Sequence, residues 1–252
     1  MTKIIVEIGL NHLGDYNIAD KFVNLITNNN IEGITLQVRE PEFYLRPEKK
    51  HLQLSDDEYR KICAQVKNGG KQFGVAIADC DKIDFFESIG TDFYKVIRND
   101  ITNKKLMSHL MSTGKHIIIS TGLSSDEDIQ NFIDEFGTEN ITLNHTQLSY
   151  SENDCNLRAI DGMKERYNVP VSFGSHCENE YVLYMSLCYN PSHILFYVKD
   201  EHTLSLNTIP DDKHAIDIED LKWVVININK LSHAPGVKSK EKLGNKIPEM
   251  NI

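Results

Sequence analysis

The 252 residues carry 27 Lys and Arg against 37 Asp and Glu, a formal net charge of −10, with 40% hydrophobic and 25% charged residues. That balance suits a globular chain with a sizeable core and disfavours nucleic acid or an anionic membrane, since both repel a net negative protein. No apolar run reaches the roughly 18 residues that span a bilayer, no signal peptide precedes the first strand, and five cysteines without a Cys-x-x-Cys pair read as reduced thiols of a cytoplasmic protein.

The chain opens with an apolar, β-branched run at 3–9, the pattern of a strand buried on both faces. It ends in Glu7, Asn11 and His12 with Gly9 and Gly14 between and Asp15 behind. An ordinary strand-to-helix turn uses the glycines for backbone freedom and Asp15 as a cap. It has no need of a carboxylate, an amide and an imidazole together, whereas the mouth of an α/β barrel does. Further strands are expected at 33–38, 72–77, 93–97, 116–120, 141–145, 171–174 and 194–198. Amphipathic helices are expected between them at 18–27, 55–67, 82–88, 103–112, 125–136, 157–167 and 178–189, and after the last strand at 217–231. Ser55 and Ser125 each precede a cluster of carboxylates, a helix-start signal that also suits the positive end of the helix dipole.

Eight strand–helix repeats in about 230 residues is the count and length of a single-domain (β/α)8 TIM barrel. A doubly wound open sheet would show a glycine-rich phosphate turn after its first strand, and none is present. The barrel is placed at 1–231, and the Lys-, Gly- and Pro-bearing stretch 232–252 is expected to be a loosely ordered tail.

In a barrel, chemistry sits at the carboxyl ends of the strands. Those ends carry Glu7, Asn11 and His12; Gln37, Arg39 and Glu40; Asp79 and Asp81; Lys95, Arg98, Asn99 and Asp100; Ser120 and Thr121; Asn144, His145 and Gln147; Ser175 and His176; and Asp200, Glu201 and His202. Lys95 lies inside an apolar strand, where a cation needs an anion to face; a lysine snorkelling at the rim is the plain alternative. With Arg39 and Arg98 it makes a phosphate or carboxylate clamp, to which Ser120 and Thr121 add donors. His176 and His202 follow successive strands and suit a divalent metal, although surface histidines explain them equally well. His145 is ambiguous. His51, His109, His116, His193, His214 and His233 are left to structural roles.

Together these pieces resemble the N-acetylneuraminate (sialic acid) synthase family, whose catalytic domain is a TIM barrel. The resemblance rests on Glu7-Ile8-Gly9-Leu10-Asn11-His12-Leu13-Gly14 at the opening, Tyr94-Lys95-Val96 with Asn99-Asp100, and Ile118-Ile119-Ser120-Thr121-Gly122. It continues through Leu143-Asn144-His145-Thr146, Phe173-Gly174-Ser175-His176, Asp200-Glu201-His202 and Pro210-Asp211.

The resemblance implies a transferase of carbohydrate biosynthesis that condenses phosphoenolpyruvate with an N-acetylmannosamine-type amino sugar, releasing phosphate and making a 2-keto-3-deoxy nonulosonic acid. It implies Mn2+ or Mg2+ held by His176 and His202, with Asp200 as the other candidate for the second position. Lys95 and Ser120 would take phosphoenolpyruvate, with Arg39, Arg98, Thr121 and Ser175 around them. Gln37, Asp100 and Asp211 would contact the sugar and Glu7 would act as base or water-positioning group, with Asn11 and His12 as further catalytic candidates and Gln147 as a further substrate-binding one. A homodimer is implied as well.

The sequence also departs from that pattern. Thr35-Leu36-Gln37 stands for a Lys-Phe-Gln, Val75-Ala76-Ile77-Ala78-Asp79 for a Ser-Thr-Pro-Phe-Asp, and Arg98, Gln147 and Gly174 replace Ser, Asn and Ser. The family's C-terminal antifreeze-like domain would begin where the sequence stops. A non-catalytic sugar- or phosphate-binding barrel, or a metal-dependent aldolase using another keto donor, are the alternatives.

Overall fold

The computed structural model describes residues 2–98, 100–202 and 209–237. Strands β1 (Lys3–Gly9), β2 (Gly33–Val38), β3 (Gln72–Ile77) and β4 (Phe93–Val96) pair in parallel and in sequence order. They continue into β5 (His116–Ser120), β6 (Ile141–Thr146), β7 (Val171–Gly174) and β8 (His193–Lys199). β8 returns to pair with β1, from Lys3 opposite His193 to Glu7 opposite Tyr197, which closes the sheet into a barrel. A two-residue β9 (Ile216–Asp217) extends the sheet beside the end of β8. Outside lie α1 (Tyr16–Thr27), α2 (Pro41–Tyr44), α3 (Asp56–Asn68), α4 (Ile83–Ser88) and α5 (Lys104–Ser112). The ring is completed by α6 (Asp126–Phe136), α7 (Ala159–Tyr167), α8 (Tyr181–Ser186) and α9 (Leu221–Leu231).

The period-two alternation of side chains sorts each strand into an outer and an inner row. Ile4, Val6 and Ile8 of β1 join Phe22 and Ile26 of α1 in the large cluster between sheet and helices. Ile5, Phe93, Ile118 and Leu195 form a separate cluster inside the barrel. Phe93 fills the axis because β3 carries Gly74 there: a Cβ on Gly74 would fall 2.2 Å from the Phe93 ring. Two residues further along the same strands stand Glu7, Lys95, Ser120 and Tyr197. The alternation therefore delivers polar groups to the inner row at the carboxyl end.

The same count run backwards places His193 and His116 at the floor, with ring centroids 6.3 Å apart. Burial, the neighbouring His116 and Lys3 hold His193 at about 4. The folded chain thus resists a proton that the unfolded chain accepts near the ordinary histidine value of about 6.5. Stability from this group is full above about 6.5 and is lost as pH falls toward about 4. His193→Gln is expected to flatten that part of the pH profile, by up to about 2 kcal/mol, in urea unfolding between pH 4 and 7.

Ser55 and Ser125 form capping boxes with Glu58 and Asp128, as their spacing indicates, and Asp15 accepts from the Asn17 N–H at the start of α1. The expected helix at 178–189 is shorter: α8 ends at Ser186 and a single tight turn, Leu187–Tyr189, follows. The last helix starts at Leu221, not 217, because Ile216 and Asp217 are extended against β8. α2, opened by Pro41, is too short to leave a periodic signal. After α9, Ser232–Val237 form a turn and irregular chain, and the rest of the expected tail lies outside the described residues. Among the described residues no helix is long and apolar enough to cross a membrane.

Candidate active site

The inner row at the carboxyl end surrounds a cavity of about 130 Å³, walled among others by Gln37, Lys95, Ser120, His176 and Asp211. At its base the Lys95 ammonium lies 2.5 and 2.6 Å from the two carboxylate oxygens of Glu7, both side chains almost wholly buried. The pair answers the question posed by a lysine in an apolar strand: its anion comes from across the barrel, on β1. Tyr197 packs against it, its ring centroid 5.7 Å from the ammonium nitrogen. Burial, Glu7 and Asp211 push the Tyr197 phenol well above its ordinary value, so it is a donor throughout the physiological range.

Asn144, on β6, also faces the cavity. Its amide oxygen accepts from the Ser172 hydroxyl at 2.8 Å. Gly174 makes room for it, since a Cβ there would sit 2.5 Å from the Asn144 amide nitrogen. Thr121, expected as a ligand donor, instead gives both its N–H and its hydroxyl to the Asn144 carbonyl, at 3.1 and 3.0 Å.

Asp211 enters from the loop after β8. Asn11 holds it there: the Asn11 amide donates to the Val198 carbonyl at 2.8 Å and accepts from the Asp211 N–H at 3.2 Å. Asn11 is therefore a tie between β1, β8 and this loop, and is not among the residues that wall the cavity. Burial and the Glu7 carboxylate raise Asp211 to about 7, against the opposing pull of Lys95 and Arg39.

His12, the next residue, is engaged locally. It is fully buried, and its Nδ1 accepts from the Gly14 N–H at 2.9 Å, the bond that stitches the turn before α1. It does not line the cavity, and burial lowers it to about 4 despite Glu58 nearby.

Arg98 does reach the cavity wall. Its guanidinium is nevertheless forked onto Glu40 at 3.0 and 3.2 Å and onto Asp100 at 3.0 Å, with a left-handed backbone at φ 53. Partial burial works against ionisation of Glu40, but the hydrogen bonds from Arg39 and Arg98 outweigh it and bring that carboxyl to about 2. Arg39 completes the group, bonded to Glu40 and lying 4.1 Å from the Phe43 ring centroid. The expected clamp of Lys95, Arg39 and Arg98 is thus a set of ion pairs: each of the three cations already holds a carboxylate. Asp100 belongs to that set rather than to the cavity wall. Asn99 lies outside the described residues.

Ser175 is buried and accepts from the Cys177 N–H at 3.3 Å, a local turn contact. Gln147 is half-buried on the loop after β6, where Thr146 and Leu148 line the cavity in its place. His145 donates to the Cys155 carbonyl at 2.9 Å, away from the site.

The two expected metal ligands part company. His176 lines the cavity, and burial together with Lys95 lowers it to about 4, so its imidazole is neutral. His202 does not come near: its side chain is 69% exposed and lies 3.2 Å from Glu219. The reason is local, because Glu201 bonds through its N–H to Asp217 at 2.9 Å, drawing the chain after β8 outward. Asp200, the other candidate, is paired with Lys21 of α1. The imidazole that does stand beside His176 is His214, left to structure by the sequence reading, with ring centroids 4.4 Å apart.

Comparison with known proteins places this geometry in a family context. A family model described as "NeuB family" matches residues 24–240. The MJ1065 protein of Methanocaldococcus jannaschii is 27% identical over 259 residues, covering 98% of this chain and 74% of that protein. The N,N'-diacetyllegionaminic acid synthase of Campylobacter jejuni is 22% identical, covering 100% of this chain and 82% of that one. Among solved structures, the N-acetylneuraminic acid synthetase of Leptospira borgpetersenii, in complex with citrate, superposes with a TM-score of 0.86 at 20% identity. That match covers 96% of this chain and 88% of the other, and it bears on the fold alone.

Proposed function

The chain belongs to the NeuB family, and from that premise we propose that it condenses phosphoenolpyruvate with the open-chain aldehyde of an N-acetylmannosamine-type aldose. In this reading the enolpyruvyl C3 attacks the aldehyde carbon, water adds at C2, and phosphate leaves with formation of a 2-keto-3-deoxy nonulosonic acid. The observation that carries the reading is the convergence of Lys95, Ser120, Asn144 and His176 on one cavity at the carboxyl end of the barrel.

Lys95 gives two of its N–H donors to Glu7 and keeps a third for a carboxylate or phosphate oxygen. Ser120 and Asn144 add neutral donors on the same side. Glu7, next to that ammonium, is the group placed to orient or deprotonate the attacking water. Gln37 and Asp211 are left for the sugar hydroxyls.

A divalent ion bound here would polarise the aldehyde oxygen as a Lewis acid. The residues fit one in their chemistry: His176 is a neutral imidazole in the wall, and His214 next to it is buried with no hydrogen-bond partner for either ring nitrogen among the described residues. A cytoplasmic homodimer completes the proposal.

Calorimetric titration with phosphoenolpyruvate tests it. The wild-type chain is expected to bind, and Ser120→Ala to weaken binding by about 1–2 kcal/mol, the loss of one neutral donor. The carboxylates already holding Lys95 and Arg98 favour a second reading, a barrel that binds a sugar without turning over the enol donor. Sugar binding with no phosphoenolpyruvate binding would select it.

A further inference from the structure

We infer that Cys80, His109 and Asp84 form a nucleophilic thiol site between α4 and α5, at which hydrogen peroxide oxidises the Cys80 sulfur. None of the three is among the residues that wall the cavity of the proposed reaction, and the site stands whether or not that reaction occurs.

Cys80 opens the tight turn Cys80–Lys82 that follows β3, Asp84 lies four residues on in α4, and His109 reaches across from α5. The Cys80 sulfur is 3.6 Å from His109 Nδ1, and His109 Nε2 is 3.0 Å from an Asp84 carboxylate oxygen. A carboxylate accepts and cannot donate, so Asp84 holds the ring proton on Nε2 and leaves the Nδ1 lone pair facing the thiol. Nucleophile, base and orienting carboxylate in that order is the arrangement that activates a thiol. The sulfur also lies 3.8 Å from the Lys105 carbonyl, a longer contact to a group that cannot carry the proton away.

The surrounding charges say how the thiol is activated. Burial, with Asp81, Asp79 and Asp84, pushes Cys80 up against the pull of Lys105, whose ammonium is itself 3.1 Å from Asp81. Cys80 is therefore not a standing thiolate, and its proton must pass to a base as the sulfur attacks. His109 Nδ1 is that base. The sulfur attacks one peroxide oxygen, an S–O bond forms as the O–O bond breaks, and the thiol proton passes through His109 to the departing hydroxide, which leaves as water. Sulfur is oxidised by two electrons and the peroxide reduced by two, giving a sulfenic acid that a second thiol can later reduce.

Cys63, Cys155 and Cys177 are buried, whereas Cys80 is partly exposed and Cys188 exposed, so Cys188 serves as an internal reference. The full chain is treated with hydrogen peroxide at neutral pH in the presence of dimedone, which traps sulfenic acids, and the labelled peptides are quantified by mass spectrometry. Cys80 is expected to be labelled about tenfold faster than Cys188 or more, the lower end of what a positioned base contributes. His109→Gln is expected to remove that advantage. Asp84→Asn should remove part of it and Asp84→Glu restore it, with Cys188 labelling and thermal unfolding unchanged in both.

Labelling of Cys80 no faster than of Cys188 in the wild type, or undiminished Cys80 labelling in a folded His109→Gln chain, overturns the site. Should His109→Gln fail to fold, Asp84→Asn decides, since that side chain is 88% exposed and carries little of the fold. An unchanged Cys80 rate there would show that the histidine and the carboxylate merely pack beside an ordinary thiol.

Discussion

Lys95→Met is expected to destabilise the fold by about 3–5 kcal/mol and to abolish turnover, because it strands a buried carboxylate. Glu7 is 2% exposed, and its two oxygens are satisfied by the Lys95 ammonium. With that cation gone, the carboxylate faces Tyr197 and Asp211, neither of which can neutralise it. The double variant Glu7→Gln/Lys95→Met removes both charges and is expected to regain much of the lost stability while remaining inactive. Urea unfolding of the single and double variants measures the coupling. Simple additivity of the two single losses would show that the pair does not hold the top of the barrel together.

Gly9→Ala is expected to lower stability by about 2–4 kcal/mol, from overpacking and from a left-handed backbone that disfavours a Cβ, and to damage the site directly. Gly9 has φ 57, and a Cβ there would fall 2.6 Å from the Tyr197 ring and 3.2 Å from the Asp211 carboxylate. Either the ring or the loop carrying Asp211 must yield. Tyr197 also covers the Lys95 ammonium, so a shift of either group should cut turnover by about a hundredfold even in the fraction that folds. Thermal unfolding and phosphate release on the same preparation separate the two losses. Partial rescue of stability by Tyr197→Leu in the Gly9→Ala background would confirm that the clash is with the ring.

Much of the barrel is legible in the sequence because each strand is short, apolar and bounded by its own turn chemistry. β2, β3, β5 and β7 begin and end where their apolar runs do. The cavity was partly legible by the same logic, since Glu7, Gln37, Lys95 and Ser120 all sit at strand ends. Tyr197 could have been found from alternation alone: it stands two residues beyond Leu195, in the same inward row. Asn144 carries the same signal two residues past Thr142.

The structure departs from the expected placements where the chain leaves the strands. His12 and Asn11 follow β1 closely, but both are engaged by the chain itself: one stitches the turn and the other ties down a loop. His202 was placed by strand order, and the Glu201–Asp217 bond takes it to the outer surface. His214 had no strand-based signal, because it lies on the short turn 212–214 beyond β8 and not on a strand. Arg39 and Arg98 are expected in an anion clamp, but Glu40, beside Arg39 in the sequence, occupies both.

Phosphate release from phosphoenolpyruvate, measured with Mn2+ and a panel of aldoses that includes N-acetylmannosamine, tests the proposed reaction most directly. Release that requires a particular aldose, yields a 2-keto-3-deoxy acid and vanishes in the Lys95→Met chain is the predicted result. No release with any aldose, from a chain that also fails to bind phosphoenolpyruvate, would contradict the assignment and leave the barrel a sugar-binding relative of the family's synthases.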